Sequence, residues 1–345
     1  MDEATLHELL ARGAKYNASD ALFKVGQPPA FRVGGDLHYL QGEKLRPEHT
    51  QGIAELILKN SRYRGELRDL TEYDTAYSVS GVGRYRVNVY RQRGTLALAL
   101  RSIPLQVPTF ESLVAPPVAK SLAELERGLV LVVGAAGNGK SSTLAAMINH
   151  INQTRRVHIV TIEDPIEFLH ADSLATVSQR EIGFDTAGFA PALRAALRQD
   201  PDVILVGEIR DEETMEIALK AAETGHLVLS TLHTPDVART IGRVASLVSG
   251  SEPSEVRERL ADTLRGVIAQ RLLPSARGEG RVLVAEALVV TGTAREAIRK
   301  PEGMPLKEVM QNGVHPYGMQ TFEMHLRQLV TEGRLTVEAA RQALG

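Results

Sequence analysis

The chain has 345 residues, 43% of them apolar, which exceeds what one hydrophobic core usually serves and is ample for two. Its 40 basic and 42 acidic residues leave a formal net charge of -2, so no global field draws it to nucleic acid or to an anionic membrane. Cysteine is absent, which excludes disulfides and thiolate metal sites and fits a reducing compartment. MDEATLHELLARG at the start lacks an apolar stretch of signal-peptide length, and no run of about 18 apolar residues follows anywhere, so the chain reads as soluble and cytoplasmic.

In chain order, MDEATLHELLARG has the pattern of an acidic amphipathic helix. Residues 21–40, ALFKVGQPPAFRVGGDLHYL, alternate in strand fashion around Pro-Pro and Gly-Gly turns, and PEHTQGIAELILKN repeats apolar residues at helical spacing. AYSVSGVGRYRVNVYRQRG and TLALALRSI predict three strands separated by glycine turns, which makes residues 1–103 a small α+β domain. Four prolines in IPLQVPTFESLVAPPVAK mark a linker over 104–120.

Beyond it the pattern becomes strand, helix, strand: LVLVV, KSSTLAAMINHINQ, VHIVTI, DVILVG, EETMEIALKAAETG, HLVLSTL. These strands are short continuous apolar runs, as a parallel sheet covered on both faces requires, so residues 121–345 read as an α/β nucleotide-binding core. From Pro253 the chain is expected to be mostly helical, with one strand at RVLVAEALVV and closing helices at TFEMHLRQLVTEG and TVEAARQAL.

Residues 134–141, GAAGNGKS, match G-x-x-x-x-G-K-[ST] between an apolar strand and a helical pattern. Glycines let successive backbone N–H groups turn toward phosphate oxygens, the helix adds its positive end, Lys140 reaches the β/γ-phosphates and the Ser141 hydroxyl sits on Mg²⁺. The loop holds a nucleoside triphosphate. Hydrolysis then needs carboxylates to orient a water and to steady the metal, and Glu163 and Glu208 stand just at the carboxyl ends of two apolar strands. Where a common P-loop enzyme places an Asp at such a strand end, this chain has Gly207. His226 and His233 flank the LVLSTL strand, and Ser230, Thr231 and Thr234 form a polar cluster suited to sensing a γ-phosphate. Two histidines seven apart without a third ligand do not make a metal site.

Four motifs thus stand in order: GAAGNGKSS, TIEDPIEF, DPDVILVGEIRD and TGHLVLSTLHT. Together they resemble the secretion-superfamily ATPases, most closely the PilT-like type IV pilus retraction ATPases. The resemblance extends to SDALFKVGQPPAFRVGGDL and GVGRYRVNVYRQRG, similar to that family's amino-terminal domain, and to GMQTFEMHLRQLV, similar to its carboxyl-terminal signature. It implies a PAS-like amino-terminal domain and a RecA-like core with carboxyl-terminal helices. It also implies a homohexamer that hydrolyses ATP with Mg²⁺ to retract a pilus. The implied partners are an inner-membrane pilus platform protein and a paralogous pilus ATPase, with no nucleic acid, and the implied place is the cytoplasmic face of the cell membrane.

Residue by residue, the resemblance makes Gly134, Ala135, Ala136, Gly137, Asn138, Gly139, Lys140, Ser141 and Ser142 the phosphate loop. Ser141 and Glu208 lie on the metal side, Glu163 is the water-activating carboxylate, and His226 with His233 forms the His box. Arg84 and Arg86 fall where the amino-terminal domain reaches toward nucleotide. Arg194, Arg198 and Arg210 flank the second and third motifs, and sequence does not single out one as the finger acting on a transferring phosphoryl group. The family loop commonly reads GPTGSGKST, so Ala135, Ala136, Asn138 and Ser142 are departures here. TAREAIRK, 293–300, stands where retraction ATPases carry AIRNLIRE and matches at Arg295, Ile298 and Arg299; a short helix over 293–299 is expected to present both arginines as a contact face.

Alternatives remain open at this level. A pilus-extension or type II secretion motor is disfavoured by the lack of cysteines for a four-cysteine zinc module. A regulatory subunit that binds ATP without turning it over is a second alternative. A DNA translocase is disfavoured by the balanced charge and by eight tyrosines, seven phenylalanines and no tryptophan for stacking bases.

Overall fold

The computed structural model describes every residue except 60, 62, 105, 249–251, 279 and 345. The chain divides into two compact units, Met1–Gln106 and Val107–Gly345.

In the first unit, α1 (Glu3–Lys15) starts where the Asp2 side chain accepts the Thr5 N–H, as short acidic side chains do at helix starts. Then come β1 (Asp20–Lys24), β2 (Ala30–Val33), β3 (Asp36–Tyr39), α2 (Pro47–Lys59), β4 (Glu72–Val79), β5 (Gly83–Gln92) and β6 (Thr95–Ile103). The strands make one antiparallel sheet in the order β3-β2-β1-β6-β5-β4. Along β5, Tyr85, Val87 and Val89 are buried while Arg86 between them is exposed, the period of two that one covered face demands. Leu6, Leu10, Ile53 and Ile57 of the two helices close the core over Phe23, Leu98 and Leu100, each such side chain contributing about 1.5–3 kcal/mol on burial. Gly13 permits the close approach of α1: a Cβ there would meet the Phe31 ring at 2.5 Å.

The second unit begins inside the stretch expected to be a linker. Residues 104–120 instead contain α3 (Phe110–Leu113) and the start of α4 (Pro117–Ala123). Pro117 opens α4 at no cost in hydrogen bonding, because the first N–H of a helix has no internal partner. Val118, Ala119, Leu122 and Ala123 are then buried in one cluster with Leu144 and Met147.

The alternating part follows as β7 (Gly128–Val133), α5 (Lys140–Thr154), β8 (His158–Glu163), β9 (Thr176–Glu181), α6 (Phe189–Ala196), β10 (Val203–Val206), α7 (Glu212–Glu223), β11 (Leu227–Leu232), α8 (Val237–Leu247), α9 (Pro253–Thr263), β12 (Leu264–Pro274) and β13 (Arg281–Val289). Four more helices finish the chain: α10 (Gly292–Arg299), α11 (Leu306–Asn312), α12 (Phe322–Thr331) and α13 (Val337–Leu344). Among the described residues the second sheet runs β13-β12-β7-β11-β10-β8-β9, parallel throughout except for β13. Every residue of β7, β10 and β11 is buried, which is why β7 and β10 read as apolar runs and β11 departs from one only at Ser230 and Thr231.

From β7 the chain crosses beyond β11 and β10 to β8, returns through β10 and β11, and passes to the other side of β7 as β12. The carboxyl ends of β7, β8, β10 and β11 therefore share one edge beside a reversal of strand order, where open α/β sheets bind ligands. Two strands escaped the sequence pattern. In β12, Arg265, Gln270 and Arg271 interrupt the apolar residues, so the stretch read as helical; β9, TVSQRE, is a partly exposed edge strand without an apolar run.

Candidate active site

The phosphate loop leaves the buried end of β7 and turns into α5. Gly134, Gly137 and Gly139 take φ of 146°, 76° and 77°, conformations that side chains resist. At Gly134 space is also exhausted, since a Cβ would come within 2.5 Å of the Gln270 carbonyl oxygen. Lys140 opens α5 and is only 8% exposed; its Nζ donates to the carbonyls of Gly134 (2.9 Å) and Ala135 (3.0 Å). Burial pulls its ammonium below the usual lysine range, while the charges of Glu208 and Glu167 oppose that shift. Ser141 lies exposed in the same first turn.

β12 braces this loop. Its Leu272 N–H donates to Asn138 Oδ1 at 3.2 Å, and the buried Gln270 Nε2 donates to Thr143 Oγ1 at 2.7 Å. Arg281 of β13 donates to the Gly137 carbonyl at 3.3 Å. The ladder between β7 and β12 ends at Val133 and Ala269, so the Asn138 side chain supplies the acceptor that continues it. A loop turned by three glycines of positive φ, a helix amino terminus and a buried lysine fit a nucleoside triphosphate.

Two carboxylates stand on the same edge. Glu163 is the last residue of β8; its Oε1 accepts from Thr161 Oγ1 (2.6 Å) and from Gln179 Nε2 (3.0 Å). Burial pushes its carboxyl above the usual range, the Glu167 charge adds to this, and the two donors oppose it. Glu208 lies just beyond β10 with its side chain 12% exposed, held by Arg210 Nη2 at 2.5 Å and His233 Nε2 at 3.3 Å. Gly207 explains the missing Asp at this strand end. A Cβ there would sit 3.1 Å from the Ile162 carbonyl and 3.4 Å from the Glu163 Cα, so glycine lets the two carboxylate-bearing strand ends lie close.

The chain matches the family model of type II/IV secretion system proteins over residues 114–342. It is 44% identical to the type IV pilus retractation ATPase PilT of Pseudomonas aeruginosa over 336 residues, which cover 97% of this chain and 96% of that one. The twitching motility protein of Neisseria gonorrhoeae is 42% identical over 314 residues, 91% of this chain and 83% of that one. The solved structure of the pilus retraction motor PilT with bound ADP superposes with a TM-score of 0.90 at 43% identity, covering 98% of this chain and 96% of that chain. The chain belongs to the type II/IV secretion system protein family.

Within this member of the family, not every residue expected at the site gathers there. His226 precedes β11 at the amino end of the sheet: its carbonyl accepts from Gly128 N–H, whereas the phosphate loop follows the opposite end of β7. Six residues of strand separate the two ends, about 17–20 Å. Its Nδ1–H donates to the Ala221 carbonyl at 2.9 Å, so His226 caps the turn after α7 and only His233 joins the site. The hydroxyls expected to sense phosphate are spent internally. Ser230 donates to the Val206 carbonyl and Thr231 to the Gly207 carbonyl, each at 2.7 Å; Thr234 bonds Thr240, whose own proton goes to the Asp236 carbonyl. They fix the strand end beneath Glu208 instead.

Among the arginines, Arg210 joins Glu208, Arg194 pairs with Glu213, and Arg198 donates to the Arg194 carbonyl at 3.0 Å. Arg84 and Arg86 alternate with the buried Tyr85 and Val87 on β5 of the first unit. The segment TAREAIRK does form α10, but not the expected two-arginine face. Arg299 is enclosed by Glu296 (3.0 Å) of its own helix and by Glu258 (2.9 Å) and Asp262 (2.7 Å) of α9, and the latter two fasten α10 to α9. Arg295 instead lies in electrostatic range of Arg265, together with Arg127. Sequence reasoning missed Gln179, Gln270 and Thr161. Thr161 was within reach, since residues two apart on a strand share a face; Gln179 and Gln270 sit on the two strands that gave no pattern.

Proposed function

We propose that this protein is an ATP-hydrolysing motor that powers retraction of type IV pili, working as a homohexamer against a platform protein at the inner face of the cell membrane. The observation that carries the reading is the placement of Lys140, Glu163, Glu208 and His233 on one edge of a sheet, in a chain that matches PilT nearly end to end. Among the described residues no helix is long and apolar enough to cross a membrane.

In this mechanism the loop N–H groups of residues 134–142 hold the phosphates, and Lys140 exchanges the Gly134 and Ala135 carbonyls for phosphate oxygens. Ser141 and Glu208 would hold Mg²⁺, which when bound neutralises charge developing on the phosphoryl group. Glu163 takes the proton of the attacking water; its raised carboxyl is better suited to that than an ordinary one. His233 and Arg210 keep the Glu208 carboxylate in place. Val107–Gly345 forms the motor, and in the ring Arg84 or Arg86 of one subunit reaches toward nucleotide held by its neighbour. A repeated head-to-tail interface around a closed ring makes hydrolysis depend on assembly.

Steady-state phosphate release from the purified protein tests the enzymatic part. Measurable turnover that disappears in Lys140→Ala supports it, and binding of ATP without turnover would leave a regulatory subunit. Light scattering with an ATP analogue tests the ring, and a monomer with full activity at high dilution overturns it.

A further inference from the structure

β8 and β9 pair in parallel with Thr161 opposite Gln179 and Glu163 opposite Glu181. Because strand side chains alternate, Thr161, Glu163, Gln179 and Glu181 project from one face of this pair. The two neutral members both donate to the same oxygen, Glu163 Oε1, at 2.6 and 3.0 Å.

The Gln179 amide cannot be turned round. Its second N–H donates to the Phe168 carbonyl at 2.9 Å and its oxygen accepts from the His170 N–H at 2.8 Å, so a flip would set donor against donor and acceptor against acceptor. The loop 164–170 therefore fixes the orientation of Gln179, and Gln179 fixes Glu163. Thr161 is fully buried, so its hydroxyl has no water to turn to. A carboxylate that floated between rotamers would lose the alignment on which proton transfer depends.

We infer that Thr161 and Gln179 are positioning residues that hold Glu163 as a base by loading Oε1 and turning Oε2 toward the attacking water. This rests on the reading of Glu163 as the water-activating carboxylate. Neither residue touches the reacting atoms; both act through Glu163. Hydrogen bonds to a carboxylate favour its charged form, so losing either donor moves Glu163 further above the usual carboxylate range. Other ionisable groups nearby are Glu167, whose charge adds to the upward shift, and Glu181, whose Oε2 accepts from the Ile166 N–H. Lys140 lies within range of Glu208 and Glu167.

The test is the pH profile of kcat for phosphate release by the full-length protein. Thr161→Val and Gln179→Met remove the donors at nearly constant volume; each is expected to lower kcat about tenfold at neutral pH and to shift the acid limb to higher pH, with KM for ATP within about twofold of wild type. Thr161→Ser keeps the hydroxyl and is expected to restore the wild-type acid limb, which a loss of packing would not do. Glu163→Gln is measured beside them. If it retains wild-type kcat, the base assignment falls and the inference with it. If Glu163→Gln is inactive while Thr161→Val and Gln179→Met keep the wild-type rate and acid limb, the base stands and the positioning role is overturned. Should Gln179→Met melt below assay temperature, Thr161→Val decides alone.

Discussion

At the carboxyl end of the second sheet the charged side chains are answered one by one. Lys140 holds two loop carbonyls, Glu163 accepts from Thr161 and Gln179, and Glu208 is gripped by Arg210 and His233. At the amino end the situation is reversed: Arg295 and Arg127 both repel Arg265, Asp262 opposes them only in part, and among the described residues none of the three arginines forms an ion pair with a carboxylate. Arg265 occupies the bulge between Leu264 and Gly266 and lies over Gly128, where a Cβ would meet its Cγ at 2.5 Å. The same parallel strands thus end in a preorganised set of hydrogen bonds on one side and in predominantly like charge on the other. Preorganisation of this kind lowers the reorganisation needed when charge develops during a reaction, which favours the proposed placement of the chemistry at the carboxyl end.

The largest effect expected is at the loop. Lys140→Ala removes the cation facing the transferring phosphoryl group and should lower phosphate release by ~10³-fold or more; near-normal turnover would refute a catalytic role for this edge. Gly134→Ala should follow closely, because its Cβ collides with the Gln270 carbonyl. Loss of nucleotide affinity together with a lowered melting temperature is expected, and an unchanged variant would mean the loop can move away from β12 at no cost.

The two carboxylates sharpen the comparison further. Glu163→Gln should keep ATP affinity and lose kcat, whereas Glu208→Gln should lose turnover and also alter the Mg²⁺ dependence, since it removes a charge on the metal side. Stability offers an independent check on Glu163. Its folded carboxyl titrates above its unfolded value, so ionising it costs stability as pH rises through that window. Glu163→Gln should therefore melt higher than wild type at neutral pH, and the gain should vanish below the ordinary carboxylate range. A variant that melts lower at neutral pH would show that hydrogen bonding to the charged form outweighs its burial.

The histidines separate the two ends directly. His233→Ala should reduce kcat by releasing Glu208, while His226→Ala should leave kcat within about twofold and act only on stability through the turn after α7. Equal losses in both would contradict the placement of His226 at the far end. The smallest effect belongs to the arginine cluster: burial and repulsion hold Arg265 below the usual arginine range, so Arg265→Met should not destabilise and is expected to raise the melting temperature slightly. A clear drop would mean that its hydrogen bond to the Asp262 carbonyl matters more than the repulsion.

What the sequence made legible follows from how locally each feature is encoded. The loop GAAGNGKS is contiguous, its glycines and lysine are set by backbone geometry alone, and the apolar runs of β7, β8, β10 and β11 announce a sheet covered on both faces. Glu163 and Glu208 were legible because they follow those runs. The braces were not. Gln179 reaches Glu163 from an edge strand without apolar alternation, and Gln270 reaches Thr143 across 127 positions of sequence from a strand that charged residues disguise. His226 misled because sequence adjacency to a strand does not say which end of the sheet a residue occupies; only the parallel pairing of β11 with β7 decides that. The short helix α10 was anticipated, yet the partners of Arg299 lie on α9, about forty residues earlier, beyond any local pattern.

The most direct test of the account is complementation in a strain of the source organism that lacks this gene. Loss of the motor should leave more surface pili and abolish twitching; the wild-type gene should restore both, and Lys140→Ala, expressed at the same level, should restore neither. Absent pili in the deletion strain, or full rescue by Lys140→Ala, would contradict retraction driven by hydrolysis at this loop.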